Sequence, residues 1–403
     1  MAQLRSIQVS SPGKGSLVKA LTRLVPAAAA ALAVAAFAAP AASAATKPAP
    51  AAPGHGFHVG DSDAVFVMTD NTAGNSVAAY HRASDGTLTL AGTYPTGGLG
   101  GVLAGSVVDH TASQGSLTYD RDSGLLFAVN PGSNTVSVFK VRGDKLHLSQ
   151  VVSSGGTFPV SVTVHGDHAY VLNALGGGSI SGYRISGDWL SPVPGSSRSL
   201  GLGTTAATPF TKTPGQVAFT PDGRSLLVTT KANTNAVDVF SVYSDGTLSA
   251  APTVNTEAGD VPFDVAFDRA GHVVVSEAGP NAVATFALAP GGVLKQLAVA
   301  DTGQAATCWI VRAGQYFFAS NAGSGSVSGY TVGWSGGLTA LGNTTTDAGT
   351  VDATSAGDGR FLYVQAGKAG IVDEYAIGGG GTLTAIGSVT VAGAAGGEGI
   401  AAG

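Results

Sequence analysis

The chain has 403 residues, of which 60 are glycine and only 11% are charged, and its formal net charge is −5. An average soluble chain is roughly 25% charged and ~7% glycine. The composition excludes a bundle of charged amphipathic helices and, with its many Thr, Ser and Val, points to a turn-rich all-β protein.

In chain order, the first element is a targeting segment. Arg5, Lys14, Lys19 and Arg23 form a positive region, Leu24–Ala39 is apolar, and Ala42-Ser43-Ala44 is a small-residue cleavage signal. The apolar stretch is short for the ~20 residues of a membrane anchor. The expectation is therefore a cleaved export signal over residues 1–44 in a bacterial protein that is secreted, extracellular or held in the cell envelope. Residues 45–60, beginning "ATKPAPAAPGHG", read as a flexible Pro/Ala/Gly linker. Cleavage removes four cations and no acids, so the formal charge moves from −5 to −9. An acidic domain without a Lys/Arg cluster argues against nucleic acid as a partner. No later run is long and apolar enough to span a bilayer, so the mature form is expected to carry no membrane span. The single Cys308 excludes an intrachain disulfide, and its setting in "ATCWIVR" predicts a buried thiol.

From residue 61 the chain repeats itself. A hydrophobic strand, an Asn/Gly turn, an alternating strand ending in an aromatic, a second turn and a third strand begin at Val65 ("VFVMTDNTAGNSVAAYHRASDGTLTL") and again at Leu125 ("LLFAVNPGSNTVSVFKVRGDKLHL"). The module recurs from His168, Ser225, His272, Gln315 and Phe361. Its aromatic marker falls at Tyr80, Phe139, Tyr183, Phe240, Phe286, Tyr330 and Tyr375, at spacings of 59, 44, 57, 46, 44 and 45. Each later copy is preceded by a further strand and a tight turn, as in "GQVAFTPDGR" and "FDVAFDRAGH". Four antiparallel strands, a to d, in about 45 residues are the period and content of a propeller blade. The first copy lacks its strand a, and "AAGGEGIAAG" at the end of the chain is spare. The fold expected over residues 61–403 is a seven-bladed β-propeller closed by the C-terminal strand, as one domain.

This topology sorts the motifs. Strand a lines the channel; the d-to-a connections and b–c loops lie on one face, the a–b and c–d turns on the other. Two insertions, Gly98–Ser116 and Leu190–Thr213, are d-to-a connections and crowd the first face, where binding is expected. "GWSGG" (Gly333–Gly337) matches a serine-hydrolase pattern but falls in a c–d hairpin turn with no following helix. "YDRDSG" and "TPDGR" lack a complete calcium-loop ligand series. The eight His residues show no zinc spacing, and there is no phosphate-binding glycine loop. Neither a metal nor a cofactor is expected. Asp109 and His110 are the only adjacent acid–His pair, with a solvated loop as their other reading.

Three segments resemble the lactonase family of seven-bladed propellers, which includes 6-phosphogluconolactonases and carboxymuconate cyclases. They are "NALGGGSISGY" (Asn173–Tyr183), "TPDGRSLLV" (Thr220–Val228) and "VPFDVAFDRAGHVVVSEAGPNAV" (Val261–Val283). The resemblance implies a functional Glu in blade 5, kept as Glu277. The family's Arg-His pair before it aligns with Phe263 and Asp264, its blade-4 His with Gln216, its blade-4 Asp-rich segment with "KANTN" (Lys231–Asn235), and its blade-6 Arg with Ala322. Lactone opening needs a base and an oxyanion donor, and of these positions only Glu277 is kept. The expectation is a monomeric binding module whose partner is an unknown small molecule or an extracellular protein or glycan, met at the insertion face around Gln216, Asp264, Asp109 and His110. The alternative is a lactone hydrolase or isomerase with Glu277 as catalytic base; a structural role in the envelope is the third reading.

Overall fold

The computed structural model describes residues 63–403; the expected export signal (1–44) and linker (45–60) lie outside the described residues. Seven antiparallel sheets follow one another along the chain. Blade 2 shows the pattern: strand a Leu117–Asp120, b Leu125–Asn130, c Thr135–Arg142 and d Lys145–Ser153. Strand b is buried along its whole length, because it is packed on both faces between neighbouring blades. Strand d alternates toward solvent at the rim. Among the described residues no helix is long and apolar enough to cross a membrane.

The ring closes as the sequence predicts. Strands b, c and d of blade 1 (Ala64–Met68, Ser76–Arg82, Leu88–Pro95) receive Ile400–Ala402 as strand a, in the register Val65↔Ala402, Phe66↔Ala401 and Val67↔Ile400. This removes the open edges that a linear array would leave.

The aromatic markers are the core of the repeat. All seven lie on strands c and are at most 3% exposed. In blades 1, 2, 5, 6 and 7 the c–d ladder slips by one residue at the marker. Such a bulge bends the strand and increases twist. At three tyrosine markers the hydroxyl reaches into the preceding blade: Tyr183 donates to Ser153 O at 2.6 Å, Tyr330 to Asp301 O at 3.4 Å and Tyr375 to Thr345 O at 2.9 Å. These three tyrosines thus pack their own blade and tie it to the previous one.

The second insertion is not wholly a connection. Strand d of blade 3 is split into Trp189–Pro192 and Arg198–Ser199, both paired with strand c (Ser179–Ser186), so the d-to-a crossing begins only after Ser199. "GWSGG" is a tight turn, closed by Gly333 N to Gly337 O at 2.8 Å.

Candidate functional site

The insertion face carries two places of interest, the channel mouth and the cleft between blades 4 and 5. The first insertion does not stand in solvent; it folds into the mouth. Gly101 N donates to Asp70 Oδ1 in blade 1 (3.2 Å), Ser113 Oγ to Val160 O in blade 3 (2.8 Å), and Trp309 Nε1 in blade 6 to Ser113 O (2.7 Å). Gln114 N donates to Gly215 O beside blade 4, and His110 N to Gly396 O in the C-terminal segment. Phe263, Trp309 and Val351, from strands a of blades 5, 6 and 7, make the apolar floor on which Val108 packs. The Phe263 and Trp309 rings meet edge to face at 5.0 Å.

Lys231 locks this plug. It follows strand b of blade 4 (Ser225–Thr229) and is 1% exposed. Its ammonium donates to Ala112 O in the first insertion (2.6 Å), and to Phe210 O (2.7 Å) and Thr213 Oγ1 (3.1 Å) in the second. It also stands 5.2 Å from the centre of the Phe263 ring. Burial lowers its pKa, and the charge of Asp109 opposes that shift.

The expected solvated Asp109–His110 pair is not what forms. Asp109 is 4% exposed and organises its own loop. One carboxylate oxygen accepts from Thr111 N, Thr111 Oγ1 and Ala112 N, and the other from Ser113 N, at 2.7–2.9 Å. The sequence "DHTAS" folds this way because an Asp followed by small and hydroxyl residues can bond its own backbone. Burial raises the Asp109 pKa. His110 turns away to Asp70, with Nδ1 3.6 Å from Oδ2. Gly396 lies against the imidazole, where a Cβ would sit 2.0 Å from Nε2 and where φ is +81°.

Under the plug lie further buried acids. Glu398 Oε2 lies within hydrogen-bond distance of Thr111 Oγ1 (3.0 Å) and Ser113 Oγ (3.2 Å), and Asp352 accepts from Ile400 N (3.1 Å). Asp264, fully buried, accepts from Ile310 N at 2.6 Å. Burial raises the pKa of all three. Cys308, beside them, carries a thiol that burial pushes up to about 12, which makes it inert as a nucleophile.

Of the residues inherited by alignment, Gln216 and Asp264 come together and Glu277 does not join them. Gln216 bridges to Val265, accepting from its N at 2.6 Å and donating to its O at 3.2 Å, and it stands beside Asp264. Glu277 ends strand b of blade 5 (Val273–Glu277). Its neighbour Ser276 reaches Cys308 O in blade 6, so strand alternation turns Glu277 to the opposite face, toward blade 4.

There Glu277 meets two residues that the sequence did not single out, Glu257 and Asp260, on the connection from blade 4 to blade 5. One oxygen from each of the three carboxylates lies within 4.8 Å of the others. Burial raises the Glu277 pKa to about 8 and that of Glu257 to about 7, and the mutual repulsion of the acids adds to both. Glu257 and Asp260 line a groove of about 430 Å³ with Asn255, Thr256, Phe286, Leu294 and Gln296. The motif search missed this group because its members come from two segments and match no contiguous ligand loop.

With this geometry in place, residues 103–396 match the family model described as "Lactonase, 7-bladed beta-propeller". The chain belongs to this family. Among solved structures, a protein from Lactobacillus plantarum is similar at 19% identity and a TM-score of 0.66, over 84% of this chain and 98% of that one. A putative 6-phosphogluconolactonase from Bacteroides fragilis is similar at 19% identity and 0.60, over 81% and 95%. The periplasmic gluconolactonase of Pseudomonas aeruginosa is similar at 17% identity and 0.62, over 81% and 96%. At these identities the likeness carries the fold. Among curated proteins none matches the chain. Against the family pattern, this lactonase-family chain holds Phe263 and Trp309 as an apolar floor under a plugged mouth, and its one retained carboxylate, Glu277, faces the cleft between blades.

Proposed function

We propose that this lactonase-family propeller is an exported binding module that does not open phosphorylated sugar lactones. The observation that carries the reading is the filled channel mouth, where Lys231 ties both insertions down over Phe263 and Trp309. A lactone held there would have to displace the plug and would find no cation at Phe263 or Ala322, where the family pattern has Arg. A phosphorylated substrate calls for cationic groups at its phosphate, and the domain is net acidic. The groove between blades 4 and 5 offers carboxylates and amides that suit a hydroxyl-rich or cationic group on a small molecule, a glycan or another extracellular protein. Export rests on residues 1–44, and N-terminal sequencing of protein from culture medium or envelope should find a chain starting near Ala45. The functional test is a lactone panel followed by titration at constant pH. No turnover of 6-phosphogluconolactone is expected, and robust turnover by the wild type refutes the binding reading.

One observation favours a second reading. Glu277, the family residue that is kept, lies buried beside Glu257 and Asp260, which line a groove, in a chain that belongs to the lactonase family. On this reading a neutral lactone is opened there with Glu277 as base. Turnover of a neutral lactone that disappears in Glu277→Gln supports it; turnover unchanged in that variant removes it.

A further inference from the structure

We infer that Glu257, Asp260 and Glu277 bind a calcium ion. Two backbone segments supply the ligands and are stitched together. Gly279 N donates to Asp260 O at 3.0 Å and Ala278 N to Val261 O at 3.1 Å, while Glu257 N is anchored on Asn235 O at 2.7 Å. The approach is so close that a Cβ on Gly279 would stand 2.0 Å from Gly259 O. The carboxylates are therefore held by the scaffold at a fixed separation.

Three of their oxygens are buried without a protein partner. Glu277 is 1% exposed, and its buried Oε1 has no hydrogen-bond donor. Both carboxylate oxygens of Glu257 are likewise buried without a partner. Among the described residues no ion pair involves any of the three. Buried acids with neither donors nor a counter-charge are costly. A cation among them supplies both at once.

The donor set selects the cation. All three ligands are oxygens, with no imidazole or thiolate, which suits a hard ion. Calcium tolerates irregular coordination at about 2.3–2.6 Å and spans carboxylates from separate loops, whereas magnesium demands a near-ideal octahedron and keeps most of its water. The open side of the groove leaves room for waters or ligand hydroxyls to complete the shell. The site holds whichever molecule occupies the groove and whether or not any lactone is opened.

The test uses the full chain, stripped with chelator, in calorimetric titrations with calcium chloride and, separately, magnesium chloride near neutral pH. One saturable calcium site is expected, with Kd on the order of 10⁻⁴ to 10⁻³ M as in extracellular modules, and weaker binding of magnesium. Glu277→Gln and Asp260→Asn should each weaken calcium binding at least about tenfold, and Asp122→Asn, at an exposed turn, should leave it unchanged. Melting provides the control for folding. Without calcium, Glu277→Gln should melt at or above the wild type, since a buried acid beside two others is gone, and it should lose the rise of a few degrees that calcium gives the wild type. No saturable heat, undiminished binding in both variants, or tighter binding of magnesium overturns the assignment.

Discussion

Replacing Lys231 with Met should release the plug while leaving the blades intact. Met keeps the length of the side chain and loses the ammonium. Three donated hydrogen bonds disappear, to Ala112 O, Phe210 O and Thr213 Oγ1. Phe210 O keeps a donor, because Thr213 Oγ1 already bonds it at 2.9 Å. Ala112 O is left buried without one, at about 1–3 kcal/mol. Asp109 loses its nearby cation, for a further ~1 kcal/mol or more. The recovered desolvation of the ammonium offsets part of this, so the net cost is about 1–3 kcal/mol. Both loops that lose the contact are insertions, so the cost falls on local opening and not on the strand ladders. At about 1.4 kcal/mol per factor of ten, amide exchange in residues 98–116 and 200–213 should speed up by roughly fivefold to about a hundredfold. Hydrogen exchange read by mass spectrometry separates these peptides from the blades. Unchanged protection in both insertions, or equal loss of protection in every blade, refutes the role given to Lys231.

Removing the chain from Gly393 onward should destabilise the whole ring. It deletes a strand in which Ile400, Ala401 and Ala402 are 4–7% exposed and opens two edges; the loss is several kcal/mol, comparable with a total stability of ~5–15. Equal melting temperatures of full-length and truncated protein would remove the closure argument. Stability should also fall as pH rises from about 5 to 8. Asp70 is raised to about 6 by burial, and His110 is raised above its ordinary value by its contact with Asp70. Both groups therefore hold a proton more tightly in the folded state, so their contribution is present at low pH and is lost as pH rises through the folded pKa values. Melting at the two pH values checks this, Asp70→Asn should shrink the difference, and a melting temperature that is flat or rises with pH contradicts it.

The range of each interaction decides whether it could be seen in the sequence. The seven aromatics were legible because each blade solves the same packing problem with neighbours adjacent in the chain. Closure was legible as a deficit, one strand missing at the start and one left over at the end. Glu277 was found by the resemblance of its segment to the fifth blade of the lactonase family, but its direction was not. That depends on strand alternation and on Ser276 facing blade 6. Lys231 carried a faint signal, a lone cation after the apolar run "SLLVTT" in a chain poor in charge. Its partners lie 119 residues away at Ala112 and 21 away at Phe210, so nothing local showed that it would be buried.

Asp109 shows how the same limit misleads. "VVDHTAS" has every mark of a polar loop, and in isolation water would solvate it. It is buried because the ring offers it a mouth of matching size, with donors and acceptors at Asp70, Val160, Gly215 and Trp309 drawn from four blades. An insertion on a propeller can therefore add a binding loop or occupy the binding site, and composition does not distinguish the two. What distinguishes them here is the ammonium of Lys231 directed at the backbone of both insertions. With the central mouth filled from within, the cleft between blades 4 and 5 is where three carboxylates converge beside a groove, and it is there that binding to this propeller should be sought.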